Sequence, residues 1–158
     1  MSQDEISYQI LYRYNLEKLY SIFTRRVDNV LSFVLIFLGV IVIVNVGSSF
    51  MLGLSIVGIA VLKMLCRFDT RSIHADRQSR AWLKLFNTRH HFSSKKALFL
   101  TITLLTQEES DVWSILIGPA VLMTETALGK TSSEKLTAVE KLCAFLCGAT
   151  KACSFDHD

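Results

Sequence analysis

The sequence predicts an all-α membrane protein in which an amphipathic N-terminal helix leads into a transmembrane helical hairpin, followed by a cytoplasmic helical region. Three observations predict it. Two apolar runs of 17 residues, Val30–Val46 and Phe50–Cys66, are separated only by Gly47-Ser48-Ser49. A helix of that length rises ~26 Å, close to the ~30 Å hydrocarbon core of a bilayer. Neither run shows the polar face that a water-soluble core helix presents every 3.6 residues, since Ser32, Asn45, Ser55 and Lys63 are their main polar members. The charge is also unevenly spread: residues 67–96 carry +6 and the last 62 residues −4, whereas the turn between the runs carries none.

These features divide the 158 residues into a cytoplasmic helix at 1–26, a two-span hairpin at 27–66 and a cytoplasmic helical region at 67–158. The first segment opens with Ser2-x-x-Glu5, the spacing of a capping box. Ile6, Ile10, Leu16, Leu19, Tyr20 and Phe23 then recur near helical spacing. That stripe suits either a helix lying on the inner leaflet or one packed against the cytoplasmic bundle, and packing is the preferred reading.

Orientation follows from the basic residues beside the spans. Arg25 and Arg26 precede the first, and Lys63, Arg67 and Arg71 lie at the end of the second. Positive residues stay inside, so both termini are expected in the cytoplasm, with the four arginines at the lipid headgroups. The apolar run begins about thirty residues in, behind Asp4 and Glu5, which does not fit a cleaved signal peptide. The four cysteines are expected as reduced thiols on the cytoplasmic side.

Within the second span Ser49, Gly53, Ile56, Ala60 and Lys63 share one face. Small residues there let another helix approach closely, so Ser49, Gly53 and Ala60 are candidate helix-packing positions, in a homo-oligomer or within the hairpin. Asn45 and Lys63, near opposite ends of the spans, are candidates for bordering a pore or gate, although Lys63 also has the length to snorkel to the headgroups.

Cys66–Thr88 reads as a helix continuing out of the second span, with an apolar stripe of Ile73, Ala81, Leu85 and Trp82 and a basic remainder suited to anionic lipid. No nucleic-acid-binding fold or stacking platform accompanies that basic face, and nucleic acid is not an expected partner. His90-His91 falls in a turn, Asn87–Lys96, read as a solvated loop. Ala97–Thr106 fits a strand and a helix equally. Val112–Leu128, divided by Gly118-Pro119, reads as buried core, with a re-entrant hairpin as the alternative.

Gly129-Lys130-Thr131 looks like the end of a phosphate-binding loop, but Thr124 stands where that loop needs glycine. It reads better as a helix stop at Gly129 and a capping box, Thr131-x-x-Glu134, opening a last helix whose Leu136, Val139, Leu142, Cys143, Leu146 and Cys147 form a core-facing stripe. Cys143, Cys147, Cys153 and His157 hold the residue types of a zinc site, but their spacing is looser than the usual knuckles, so no metal or cofactor is expected. With no nucleophile elbow, carboxylate–histidine cluster or complete phosphate loop, an enzyme is the poorest fit.

A helix entering a short two-span hairpin, then a long emerging helix carrying the stretch from His74 to Leu85 (His-Ala-x-Arg-x-x-x-Ala-Trp-Leu-x-Leu), resembles the SLATT class of bacterial two-transmembrane effectors. The resemblance covers about the first 90 residues. It implies an inner-membrane phage-defence protein that permeabilises the membrane as an oligomer, with a nucleotide-signalling partner as its trigger. By size and topology the chain is also similar to the superinfection-exclusion proteins of temperate phages. That likeness implies a non-channel protein that meets phage ejection proteins and blocks incoming DNA.

Overall fold

In the computed structural model, which describes residues 3–43, 49–92, 94–130 and 136–149, every regular element is helical. The first helix, α1 (Gln3–Ile43), runs unbroken through the expected boundary at residue 26. Its 41 residues meet no glycine before Gly39 and no proline at all, so nothing in the chain stops the helix at the point where its surroundings change. That change is abrupt. Ile10, Leu11, Leu19, Tyr20 and Phe23 are buried, whereas Val30, Phe33, Ile36 and Phe37 beyond them are bare. The preferred reading of the N-terminal stripe therefore holds: it packs against a bundle. The Ser2-x-x-Glu5 box lies partly outside the described residues.

Two further helices, α2 (Ser49–Cys66) and α3 (Phe68–Thr88), return alongside α1. The register is antiparallel: Asp28, Ser21 and Arg13 of α1 face Lys63, Ser72 and Trp82 respectively. α2 and α3 are not one continuous helix. Arg67 between them adopts the left-handed conformation (φ 46°), although the bonds from Arg67 N to Lys63 O and from Arg71 N to Arg67 O carry the helical spacing across it. A non-glycine residue held there costs on the order of 1 kcal/mol. The break leaves Arg67 exposed and Phe68 buried, where α3 begins an inward stripe of Phe68, Ser72, Ala75, Gln78, Ser79, Trp82 and Leu85.

The remainder of the bundle wraps the base of this pair. α4 (Lys95–Gln107) resolves the ambiguous run as a helix, capped by the Ser94 hydroxyl accepting from the Lys96 amide. Leu98 packs with Ile10, Trp82 and Leu85, and Gln78 Nε2 donates to the Leu105 carbonyl at 2.6 Å. The chain then climbs along α1 to Trp113, whose ring meets Tyr20, Phe23 and Phe68 edge-on with centroids 5.5–6.5 Å apart. After a single 3-10 turn at Ser114–Leu116, α5 (Ile117–Ala127) descends again, tied to α1 by the bond from Asn15 Nδ2 to Thr124 Oγ1 at 2.9 Å. Gly118, Pro119, Ala120, Leu122 and Thr124 are buried, as the core reading of this run expects. Pro119 sits in the first turn, where a missing N–H breaks no helical bond. Gly129 (φ +69°) ends the helix, with Lys130 N bonding back to Glu125 O.

The expected box at Thr131 and Glu134 lies outside the described residues. The capping box that opens the last helix, α6 (Ala138–Cys147), is Thr137 with Glu140. A second expectation for this helix needs correcting. Of its supposed core-facing stripe only Cys143 and Cys147 are buried, joined by Ala144, whereas Val139, Leu142 and Leu146 are exposed. The small side chains let α6 come close to α1, where Cys147 Sγ lies 3.7 Å from the Leu19 carbonyl.

Candidate functional site

Where the bare part of α1 and α2 meets the bundle, the two helices exchange charge. Lys63 Nζ lies 3.0 Å from Asp28 Oδ1 and also donates to Ser32 Oγ, while the Ser32 hydroxyl donates to the Asp28 carbonyl. Only about a quarter of either charged side chain is exposed. Lys63 is thus neutralised within one copy of the chain, and its ammonium points across the hairpin instead of along it. Asp28 was the residue that sequence reasoning passed over. Its signal was present, because in a tight hairpin the last acidic residue before the first run falls opposite the only basic residue in the second.

Arg25, Arg26 and Arg67 are exposed next to the pair and form a basic rim, with exposed Arg71 one turn further along α3. Among the proposed packing positions, a Cβ built at Gly53 would meet nothing within 4 Å, and Ala60 is exposed. Within one copy, then, Gly53 and Ala60 make no close helix contact. Asn45 lies outside the described residues, as does the side chain of Ser49.

Beneath the rim lies a polar node. Glu17, 2 % exposed, accepts from the Ser110 amide at 2.8 Å through Oε1, and its Oε2 has no partner among the described residues. Burial pushes this carboxyl above its ordinary range, opposed by the bonds from Ser110 and helped by the nearby charge of Glu109. His74 Nδ1 lies 3.3 Å from Ser110 Oγ, and Arg13 pairs with Glu109 while its guanidinium sits 5.6 Å from the Trp82 ring centre. These contacts pin residues 108–111 to α1 and α3. An open cleft beside them is lined by Tyr20, Thr70, Arg71, His74, Ser110 and Asp111, whose charges are mixed.

The basic face of α3 is likewise offset locally. Arg80 pairs with Asp76 at 2.7 Å, and Arg25, Arg77 and Arg80 share a shallow depression with Asp69 and Asp76. His90 and His91 lie in a 3-10 turn, with His91 exposed. Cys143 and Cys147 face inward as small apolar groups, and burial raises both thiols, Cys147 to about 11. Cys153 and His157 lie outside the described residues. No family model, curated protein or solved structure matches this chain.

Proposed function

We propose that the chain is a multi-pass inner-membrane protein of phage defence, acting as an oligomer that permeabilises the bilayer, with both termini in the cytoplasm. The observation that carries the membrane reading is the inverted surface of the hairpin. The most apolar stretches of α1 and of the α2–α3 arm are long enough to cross a bilayer, and none of either is buried. Val30, Phe33, Ile36, Phe50, Met51, Met64 and Leu65 are each more than half exposed, an arrangement that water opposes and lipid accepts. The basic rim at its foot supports the inside orientation. Permeabilisation rests on the SLATT resemblance, and it requires several copies because two helices enclose no channel. A nucleotide-signalling partner would supply the trigger. Nothing in this reading calls for catalysis, a metal or a cofactor.

The internal pairing of Lys63 favours a second reading, a superinfection-exclusion protein that meets phage ejection proteins without conducting. A charge already satisfied inside one copy is poorly placed to line a wet path.

Expression in a bacterial host with a membrane-potential dye tests the two. The effector reading expects activated or overexpressed protein to collapse the potential and slow growth, because a wet path must cross ~30 Å of hydrocarbon. Protection from a narrow set of related phages with the potential undisturbed would instead establish exclusion. A cysteine introduced at Ser48 that labels only from the cytoplasm would overturn the hairpin itself.

A further inference from the structure

α6 is packed the wrong way round for a helix in water. Its inward face consists of Cys143, Ala144 and Cys147, and its outward face of Val139, Leu142, Phe145 and Leu146, which are 40–64 % exposed. A water-borne helix offered these two faces would bury the bulkier one, because the hydrophobic gain scales with the apolar area removed from water. Lys141 is the one exposed charge on this helix. The inversion repeats that of the bare hairpin.

Its position in the fold matches. The N-terminal end of α6 touches the start of α5, where a Cβ at Gly118 would lie 2.8 Å from Glu140 Oε1 and 2.9 Å from Leu136 Cδ2. At the other end Cys147 meets the Leu19 carbonyl, Ala149 joins the core cluster that holds Leu19, Tyr20 and Phe23, and the positive charge of Arg26 acts on the Cys147 thiol. Leu116, just before α5, joins that same cluster. Cys143, Ala144 and Cys147 belong to it as well, so α6 packs beside the stretch of α1 around Leu19 to Phe23. At ~1.5 Å per residue, Phe23 and Leu19 lie ~8 and ~14 Å below Asp28. Trp113, 40 % exposed, lies beside Tyr20, Phe23 and Phe68, and Ile117, 45 % exposed, opens α5 directly after Leu116 of the same cluster.

We propose that α6, with Trp113 and Ile117, forms a collar seated in the headgroup layer of the inner leaflet, with Val139, Leu142, Phe145 and Leu146 against lipid. This rests on the reading above that α1 and α2 span the bilayer. An apolar helix face in the interface sinks ~5–10 Å, about the depth available here, and tryptophan is enriched in that layer. The level distinguishes α6 from the start of α4, where exposed Phe99 and Leu100 flank Leu98 beside Ile10, ~27 Å below Asp28 and beyond the reach of lipid.

The full chain is reconstituted in phosphatidylethanolamine–phosphatidylglycerol vesicles with Cys66→Ser and Cys153→Ser, keeping the buried Cys143 and Cys147. A single new cysteine at Leu142, Phe145, Phe37 or Leu100 carries an environment-sensitive fluorophore, and lipids spin-labelled near the headgroup or deep in the chain act as quenchers. The collar predicts blue-shifted emission at Leu142 and Phe145, quenched by the shallow label at least about twice as strongly as at Leu100. Phe37 should respond to the deep label. Quenching at Phe37 with Leu142 and Phe145 no better quenched than Leu100 overturns the collar and leaves the spans standing. An unquenched Phe37 overturns the spans and the collar with them. Fluorophore self-quenching at Leu142 that rises with the protein-to-lipid ratio, without lipid quenching, would assign the face to a second copy and overturn the collar.

Discussion

Glu17 is costly to bury, because its carboxyl is enclosed with one oxygen unpaired among the described residues. Its folded pKa lies above the unfolded one, so just above the ordinary carboxylate range the folded chain binds more protons than the unfolded chain. Stability must then fall as pH rises through the raised value. Glu17→Gln keeps an acceptor for the Ser110 amide and removes the charge. It should raise the thermal midpoint in detergent at neutral pH, worth roughly 1 kcal/mol, and flatten the pH dependence from the ordinary carboxylate range upward. An unchanged pH profile would show that the carboxyl is already hydrated. At the foot of the hairpin, Asp28→Ala leaves the Lys63 ammonium without its counter-charge and should cost roughly 1–2 kcal/mol, between the values for exposed and buried pairs. The exchange Asp28→Lys with Lys63→Asp should recover most of that loss, and a double variant no better than the single one would reduce the pair to proximity.

Among the elements, legibility in the sequence followed how uniform each apolar pattern is. The two long apolar helices were legible because seventeen apolar residues without a polar face leave one regular reading, a helix, and the packed stripe of α1 was legible because it ends close to Arg25 and Arg26. α4 was ambiguous because Leu98, Ile102 and Leu105 satisfy one period while Leu98, Leu100, Ile102 and Leu104 satisfy another. In α6 the stripe was seen and its direction mistaken, since periodicity marks an apolar face without saying whether protein or lipid covers it. The Asp28–Lys63 pair was missed because its signal appears only when the two runs are folded back about their short turn, which brings the last acidic residue before the first run opposite the only basic residue of the second. Gly118 reports on the α5–α6 contact. Gly118→Ala should be nearly neutral, because the crowded atoms are the ends of the Glu140 and Leu136 side chains and alanine recovers up to ~1 kcal/mol of helix propensity. Gly118→Leu should lift α6 and make Cys147 react with maleimide much faster, and a Cys147 still protected in that variant would show that the contact does not seat the helix.

For the whole molecule, the unbroken α1 has a mechanical consequence. About 23 of its residues lie in the bundle and the rest in the bare hairpin, with no hinge residue between them. It is a lever pivoting near Arg26. The arm from Arg26 to Ile43 is ~26 Å, so a tilt of about 10° imposed on the bundle end would swing the far end by ~4–5 Å, about half the spacing between packed helices. The returning arm, broken at Arg67, can take up that swing by bending where the left-handed residue already stands. A movement imposed on the bundle end is therefore carried to the far end of the hairpin without any rearrangement of α1. Replacing the exposed Asn29 and Val30 with glycine softens α1 beside the pivot, leaves the basic rim in place and should uncouple the two ends. Folding and insertion should survive while the response to a trigger disappears, and a response that persists would mean the lever is not the route.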